Sequence, residues 1–143
     1  MKLYWLDIIG LFIFLSGFVI GLGAVTVIDI HGFLGRKSSY WSEATARTHK
    51  VTKPLIWVGM ILAIIGGTVF YRNEALQGIP LVHLLTAVVL IINGPFLLEK
   101  EKQGKSQELL PESLQRKIMV SLIVSDIGWW GSLFLLVIYI VQT

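Results

Sequence analysis

Four apolar runs, three of them uncharged throughout and bounded by charged residues, dominate this 143-residue chain. An α-helix rises about 1.5 Å per residue, so a bilayer core of about 30 Å asks for about 20 apolar residues per crossing. The runs 8–28, 54–71, 77–98 and 118–141 meet that requirement, and the fourth is interrupted by a single charge, Asp126. With 55% apolar against 15% charged residues, a soluble globular domain is excluded. The expected fold is therefore an all-α membrane protein, a four-transmembrane-helix bundle forming one domain over 1–143. The first run is too long, and lacks the small-residue cleavage site, for a secretory leader, and is read as a retained span. Pro54 suits the first turn of the second span, where its missing N–H costs least. An interfacial helix over 42–53, capped by Ser42 and anchored by Tyr40 and Trp41, is expected to lead into it. Asn93, Gly94 and Pro95 are expected to bend the last turns of the third.

Lysine and arginine counts give an orientation, because cytoplasmic loops retain positive charge. Arg36, Lys37, Arg47, Lys50 and Lys53 fall in the first loop and Lys100, Lys102, Lys105, Arg116 and Lys117 in the third. Only Lys2 and Arg72 fall on the other side, which places both long loops in the cytoplasm and both termini outside. A bacterial cytoplasmic (inner) membrane is the expected location. The formal net charge of +3 then reflects topology and attraction to anionic lipid, not nucleic-acid binding. The absence of cysteine removes thiol catalysis, disulfide exchange and cysteine-ligated metals. No nucleophile elbow, Walker loop or pair of catalytic carboxylates within a span is present, which weighs against an autonomous enzyme.

Within lipid, helices associate through small residues and polar groups that find partners. Gly10, Gly17, Gly21 and Ala24 share a face of the first span, and with Gly59, Ala63, Gly66 and Gly67 on the second they predict close backbone contact between the two. His83, Thr86 and Asn93 share a face of the third span, and Ser121 and Ser125 one of the fourth, which predicts a polar seam bordered by Asp126. An ionisable side chain inside a span is expensive and marks a site, here a proton-titrating or cation-binding group near Asn93, or an Asp held by serine hydroxyls or by another subunit. Asp29 closes the first span at the negative end of its helix dipole and requires a partner or a cation. Arg36, Lys37, Arg47 and Lys53 are available to it, and a metal or haem site built from Asp29, His31, Glu43 and His49 is the alternative.

The run Gly21, Gly23, Thr26 and Asp29, then Trp57, then Ile91 to Gly94, then Ser125, Trp129, Trp130 and Gly131, resembles a family of bacterial four-span integral membrane proteins of unknown function. The resemblance spans nearly the whole chain and implies its fold, not a reaction. More distantly, the layout is similar to small haem-associated membrane proteins that include oxygen-independent protoporphyrinogen oxidase. The first span opens with histidine in those proteins and with Asp7 here, so no site carries over. Three functions stay open. The first is a non-catalytic subunit or homo-oligomeric assembly component in the lipid bilayer, partnered by its own copies or by other membrane subunits and needing no cofactor. The second is a proton- or ion-coupled small transporter or channel using Asp126, and the third a redox protein holding haem b or quinone.

Overall fold

The computed structural model describes residues 4–35, 39–103 and 112–142. They form four helices: α1 (Trp5–Gly35), α2 (Ser39–Phe70), α3 (Gly78–Gln103) and α4 (Glu112–Gln142), with no strand among the described residues. Arg36 and Lys37, offered as partners for Asp29, lie outside the described residues, as do Lys105 and the side chains of Trp41, Ser42, Pro95, Lys100 and Lys102.

Stretches long and apolar enough to cross a membrane occur in three helices, over Trp5–Leu34, Glu43–Phe70 and Arg116–Gln142. In α3 the corresponding apolar stretch, Gly78–Gly94, is shorter. The 31 residues of α1 and 32 of α2 extend for roughly 46–48 Å, well beyond a bilayer core of about 30 Å. Local chemistry explains the helix starts. The carboxylate of Asp7 accepts the Tyr4 backbone N–H (2.9 Å), half of a capping box at the head of α1. Gly78 opens α3 with φ 58°, a left-handed conformation that a side chain would oppose, and Pro80 follows in the first turn.

The sequence expectation fails at α2. Residues 42–53 do not form a separate interfacial helix; they are the first turns of one continuous helix with Pro54 inside it. Proline deprives the Lys50 carbonyl of its intrahelical N–H, a cost that tertiary contacts must offset. Thr45 Oγ1 donates to the His31 carbonyl of α1 at 2.8 Å, and Thr52 is buried, so these early turns of α2 are held against α1. Helix α3 remains helical through Asn93 and Gly94 and on to Gln103, beyond the expected end of the span at 98. The fourth helix starts at Glu112, earlier than the expected 118.

Helices α1 and α2 share the most extensive interface, followed by α3 with α4 and α1 with α4, whereas α2 barely meets α3. The molecule is thus two antiparallel hairpins joined mainly along α1 and α4. Phe14, Phe18, Leu22 and Val25 of α1 pack with Met60, Ala63 and Phe70 of α2, Leu90 of α3, and Trp129 and Leu136 of α4. The outside is apolar on every helix, as Phe12, Val19, Ile61, Ile65, Leu85, Ile92, Phe134 and Val141 show. Such a continuous belt is a poor surface for water and fits an integral membrane protein.

Candidate functional site

The α1–α2 interface is built from missing side chains. A Cβ on Gly59 would lie 2.5 Å from the Gly21 backbone, and one on Gly17 2.7 Å from the Gly59 carbonyl oxygen. A Cβ on Gly66 would collide with the Phe14 backbone, and one on Gly10 would lie 2.7 Å from Phe70 N. Ala63 is buried against Gly17 in the same register. These approaches bring main chain onto main chain along most of the hairpin. At its terminal end, Arg72 Nη1 forms an ion pair with Asp7.

Between the hairpins, the direction that Gly21 leaves free is filled by Trp129 of α4, which is only 2% exposed and meets Phe18 edge-on at a centroid distance of 6.0 Å. Two helical turns further along α1 stands Asp29, and Asp126 of α4 is the charge that acts on it. Both side chains are half-buried, and Oδ2 of Asp29 is shut off from solvent without a hydrogen-bond donor among the described residues. Two carboxyl groups bond to each other only through a proton, because carboxylates are acceptors alone. If both were ionised about 4 Å apart, their repulsion at an effective dielectric of about 20 would reach about 4 kcal/mol.

Sequence reasoning placed these two acids in different sites. Asp126 was expected beside the Asn93 seam, and Asp29 beside cations or the group His31, Glu43 and His49. Instead Arg47 bonds Glu43 at 2.6 Å on the exposed side of α2. The Nδ1 of His31 lies 2.8 Å from the Val27 carbonyl, one turn back on its own helix. No group of three or more metal-binding side chains gathers among the described residues. His49 is half-buried on α2, in the early turns that lie alongside the end of α1. A usable signal existed: Asp29 and Asp126 are solitary acids flanking or interrupting two otherwise uncharged runs, both near the same side of the bilayer.

The α3–α4 contact is polar. Asn93 Nδ2 donates to the Ser121 carbonyl (2.9 Å) while Ser121 Oγ donates to Asn93 Oδ1 (2.6 Å), a reciprocal clamp. Near the other end of the helices, His83 Nε2 lies 2.8 Å from the Ser132 carbonyl and Nδ1 lies 3.0 Å from Tyr71 Oη. A carbonyl can only accept, so Nε2 carries the proton, and Nδ1 accepts the Tyr71 hydroxyl. Tyr71 stacks on His83 at 5.6 Å and meets Tyr139 edge-on at 5.0 Å, an aromatic knot that sequence reasoning did not foresee. Thr86 donates to the Val82 carbonyl of its own helix at 2.8 Å and makes no bridge with that bond. Ser125 is half-buried on α4 next to Asp126.

No protein-family model, curated protein or solved structure matches this chain.

Proposed function

We propose that this chain is a four-span protein of the bacterial cytoplasmic membrane, with both termini outside, that binds and releases a proton or small cation at the Asp29–Asp126 pair. The carrying observation is the setting of Asp29: one of its oxygens is shut off from solvent with no donor among the described residues, and the charge that acts on it comes from Asp126 of a separate helix. Intramembrane acids are costly on insertion and are retained where they serve ion or proton pathways. Uncharged residues 95–98 follow the apolar part of α3 before Glu99, and supply the length that makes it the fourth span. The ten Lys and Arg residues on the loop side set the orientation.

Infrared difference spectroscopy of the protein in lipid, together with proton and cation flux into reconstituted vesicles, tests the reading. A carboxyl C=O band that titrates and disappears in Asp29→Asn and Asp126→Asn, with flux lost in both, is the expected result. A band and flux untouched by either substitution would refute it. Orientation is tested separately by Gln103→Cys in this cysteine-free chain; labelling from outside intact cells would reverse it.

A second reading, a homo-oligomer or subunit of a larger membrane assembly, has its own support. Gly23 of α1 and Gly131 of α4 have open space where a Cβ would stand, and Trp130 is 54% exposed on the outer face of α4. Such a surface admits close approach by another helix. The mass of the protein–detergent particle after mild extraction decides it: a strict monomer removes this reading. A redox role with haem or quinone has no comparable support, since His83 sits at the opposite end of the bundle from His31 and His49 and is bound between Tyr71 and Ser132.

A further inference from the structure

Tyr71 lies one residue past the end of α2, and its backbone N–H still donates to the Gly67 carbonyl at 2.9 Å, so the ring is held on the last turn of that helix. Its hydroxyl donates to Nδ1 of His83 at 3.0 Å, while Nε2 of the same imidazole donates to the Ser132 carbonyl at 2.8 Å. The carbonyl thereby fixes the tautomer, and the lone pair of a neutral base is aimed at the phenol proton. His83 is buried, and Tyr71 stacks on it with an interplanar angle of 24°. A tie between hairpins needs only the hydrogen bond, but the surroundings go further. Phe14 stands edge-on to both rings, 6.0 Å from Tyr71 and 5.4 Å from His83, and ring contact continues to Phe18 at 5.0 Å and from there to Trp129 at 6.0 Å. On its other side Tyr71 meets Tyr139. An unbroken file of rings thus runs from the buried indole of Trp129 to the half-buried Tyr139, with the phenol–imidazole pair inside it.

An electron crosses packed rings without its acceptor touching the phenol, and a phenol gives one up readily only when its proton has somewhere to go. We infer that Tyr71 is a redox-active tyrosine that reduces lipid peroxyl radicals, with His83 taking its proton. The site shares no residue with the Asp29–Asp126 pair and stands or falls apart from it. In the step, the O–H bond of Tyr71 breaks and the proton forms an N–H bond at Nδ1 of His83. The electron passes to the peroxyl radical, and the peroxide anion so formed takes a proton from interfacial water and leaves as a hydroperoxide. Tyr71 remains as a neutral phenoxyl radical beside an imidazolium whose two N–H groups both have acceptors, the phenoxyl oxygen and the Ser132 carbonyl. Without the base, the product would be a phenol radical cation in apolar surroundings, where an unpaired charge is costly. The class of oxidant follows from phase and strength. Molecular oxygen and quinones do not take an electron from a phenol, whereas a peroxyl radical does, and its polar end draws it to the lipid–water boundary. Tyr71, just past α2, and Tyr139, in the last turn of α4, sit at that level, where aromatic rings with a polar tip are favoured. An indole radical oxidises a phenol, so a hole that starts on Trp129 also comes to rest on Tyr71.

Freeze-quenched electron paramagnetic resonance tests the assignment on the full chain in liposomes of polyunsaturated phosphatidylcholine, with peroxyl radicals supplied by a lipid-soluble azo initiator in air. A tyrosyl radical is expected in the parent, absent in Tyr71→Phe and retained in Tyr4→Phe, Tyr40→Phe and Tyr139→Phe. In heavy water, pulsed double resonance is expected to find one exchangeable deuteron hydrogen-bonded to the phenoxyl oxygen, the proton now held on Nδ1. His83→Gln keeps the phenol, and its amide accepts from Tyr71 and donates to the Ser132 carbonyl, but it holds no extra proton. Radical formation in that variant is expected to slow by about 100-fold or more, the usual effect of removing a positioned base. Because it leaves Tyr71 in place, it decides the matter even where Tyr71→Phe fails to fold. No tyrosyl signal in the parent, a signal that persists in Tyr71→Phe, or equal rates in the parent and His83→Gln would each overturn the assignment.

Discussion

The α1–α2 hairpin and the α3–α4 hairpin solve the same problem, joining two helices in an apolar solvent, by opposite means. The first removes atoms until backbones touch, while the second adds polar side chains and satisfies them against each other. In lipid the hydrophobic effect does not draw helices together, so these are the two available sources of adhesion. The contrast teaches where each hairpin is vulnerable. A glycine interface is harmed by any added volume, and a clamp of hydrogen bonds by losing one partner.

The largest effect is expected at Gly66, where a side chain would be driven into the Phe14 backbone. Gly66→Leu should cost about 3 kcal/mol or more, read as the unfolding free energy in bicelles, because backbone cannot yield as a side chain can. An unchanged stability would show that the hairpin is not held by this approach. Next comes Trp129→Ala, expected to lose about 3 kcal/mol through the cavity it leaves. Adding Gly21→Leu to that variant should recover part of the loss, although Gly21→Leu alone is damaging. A double-mutant cycle with no coupling would dismiss the socket.

The polar hairpin should respond more mildly. Asn93→Ala, which removes both bonds, is expected to cost about 1 kcal/mol, Ser121→Ala, which leaves the Asn93 bond to the Ser121 carbonyl, about half of that, and the double variant little more than Asn93→Ala alone. Additive losses would mean that the two residues act independently. The smallest effect on stability belongs to Asp126→Asn, expected within about 0.5 kcal/mol of the parent because the amide preserves size and hydrogen bonding. A collapse of the fold in that variant would turn the pair from a working group into a structural one.

Much of this architecture is legible in the residue order. Uncharged runs mark the helices, and glycine spacing on 8–28 and 54–71 marks the surface on which α1 and α2 meet. What escapes is anything that depends on how two helices are rotated and set in depth against each other. Asp29 and Asp126 are 97 positions apart in the chain, and no period relates them. The Asn93 and Ser121 positions can be grouped by face, yet the same reasoning places Asp126 with them, although its charge acts on Asp29 of α1. Pro54 misleads for a different reason. Local propensity favours a break before it, and the contacts of Thr45 and Thr52 with the rest of the bundle outweigh that preference.

The ion pair of Asp7 with Arg72 has a consequence for how the protein is made. In the proposed orientation both ends of the first hairpin must be carried across the membrane during insertion, and Arg72 runs against the usual retention of positive charge on the cytoplasmic side. Its carboxylate partner comes from the opposite end of the same hairpin, brought alongside by the glycine contacts. Once α1 and α2 have zipped together, the leading edge carries a neutralised pair in place of a lone guanidinium. Assembly of the hairpin before translocation is thus the order of events that its chemistry favours.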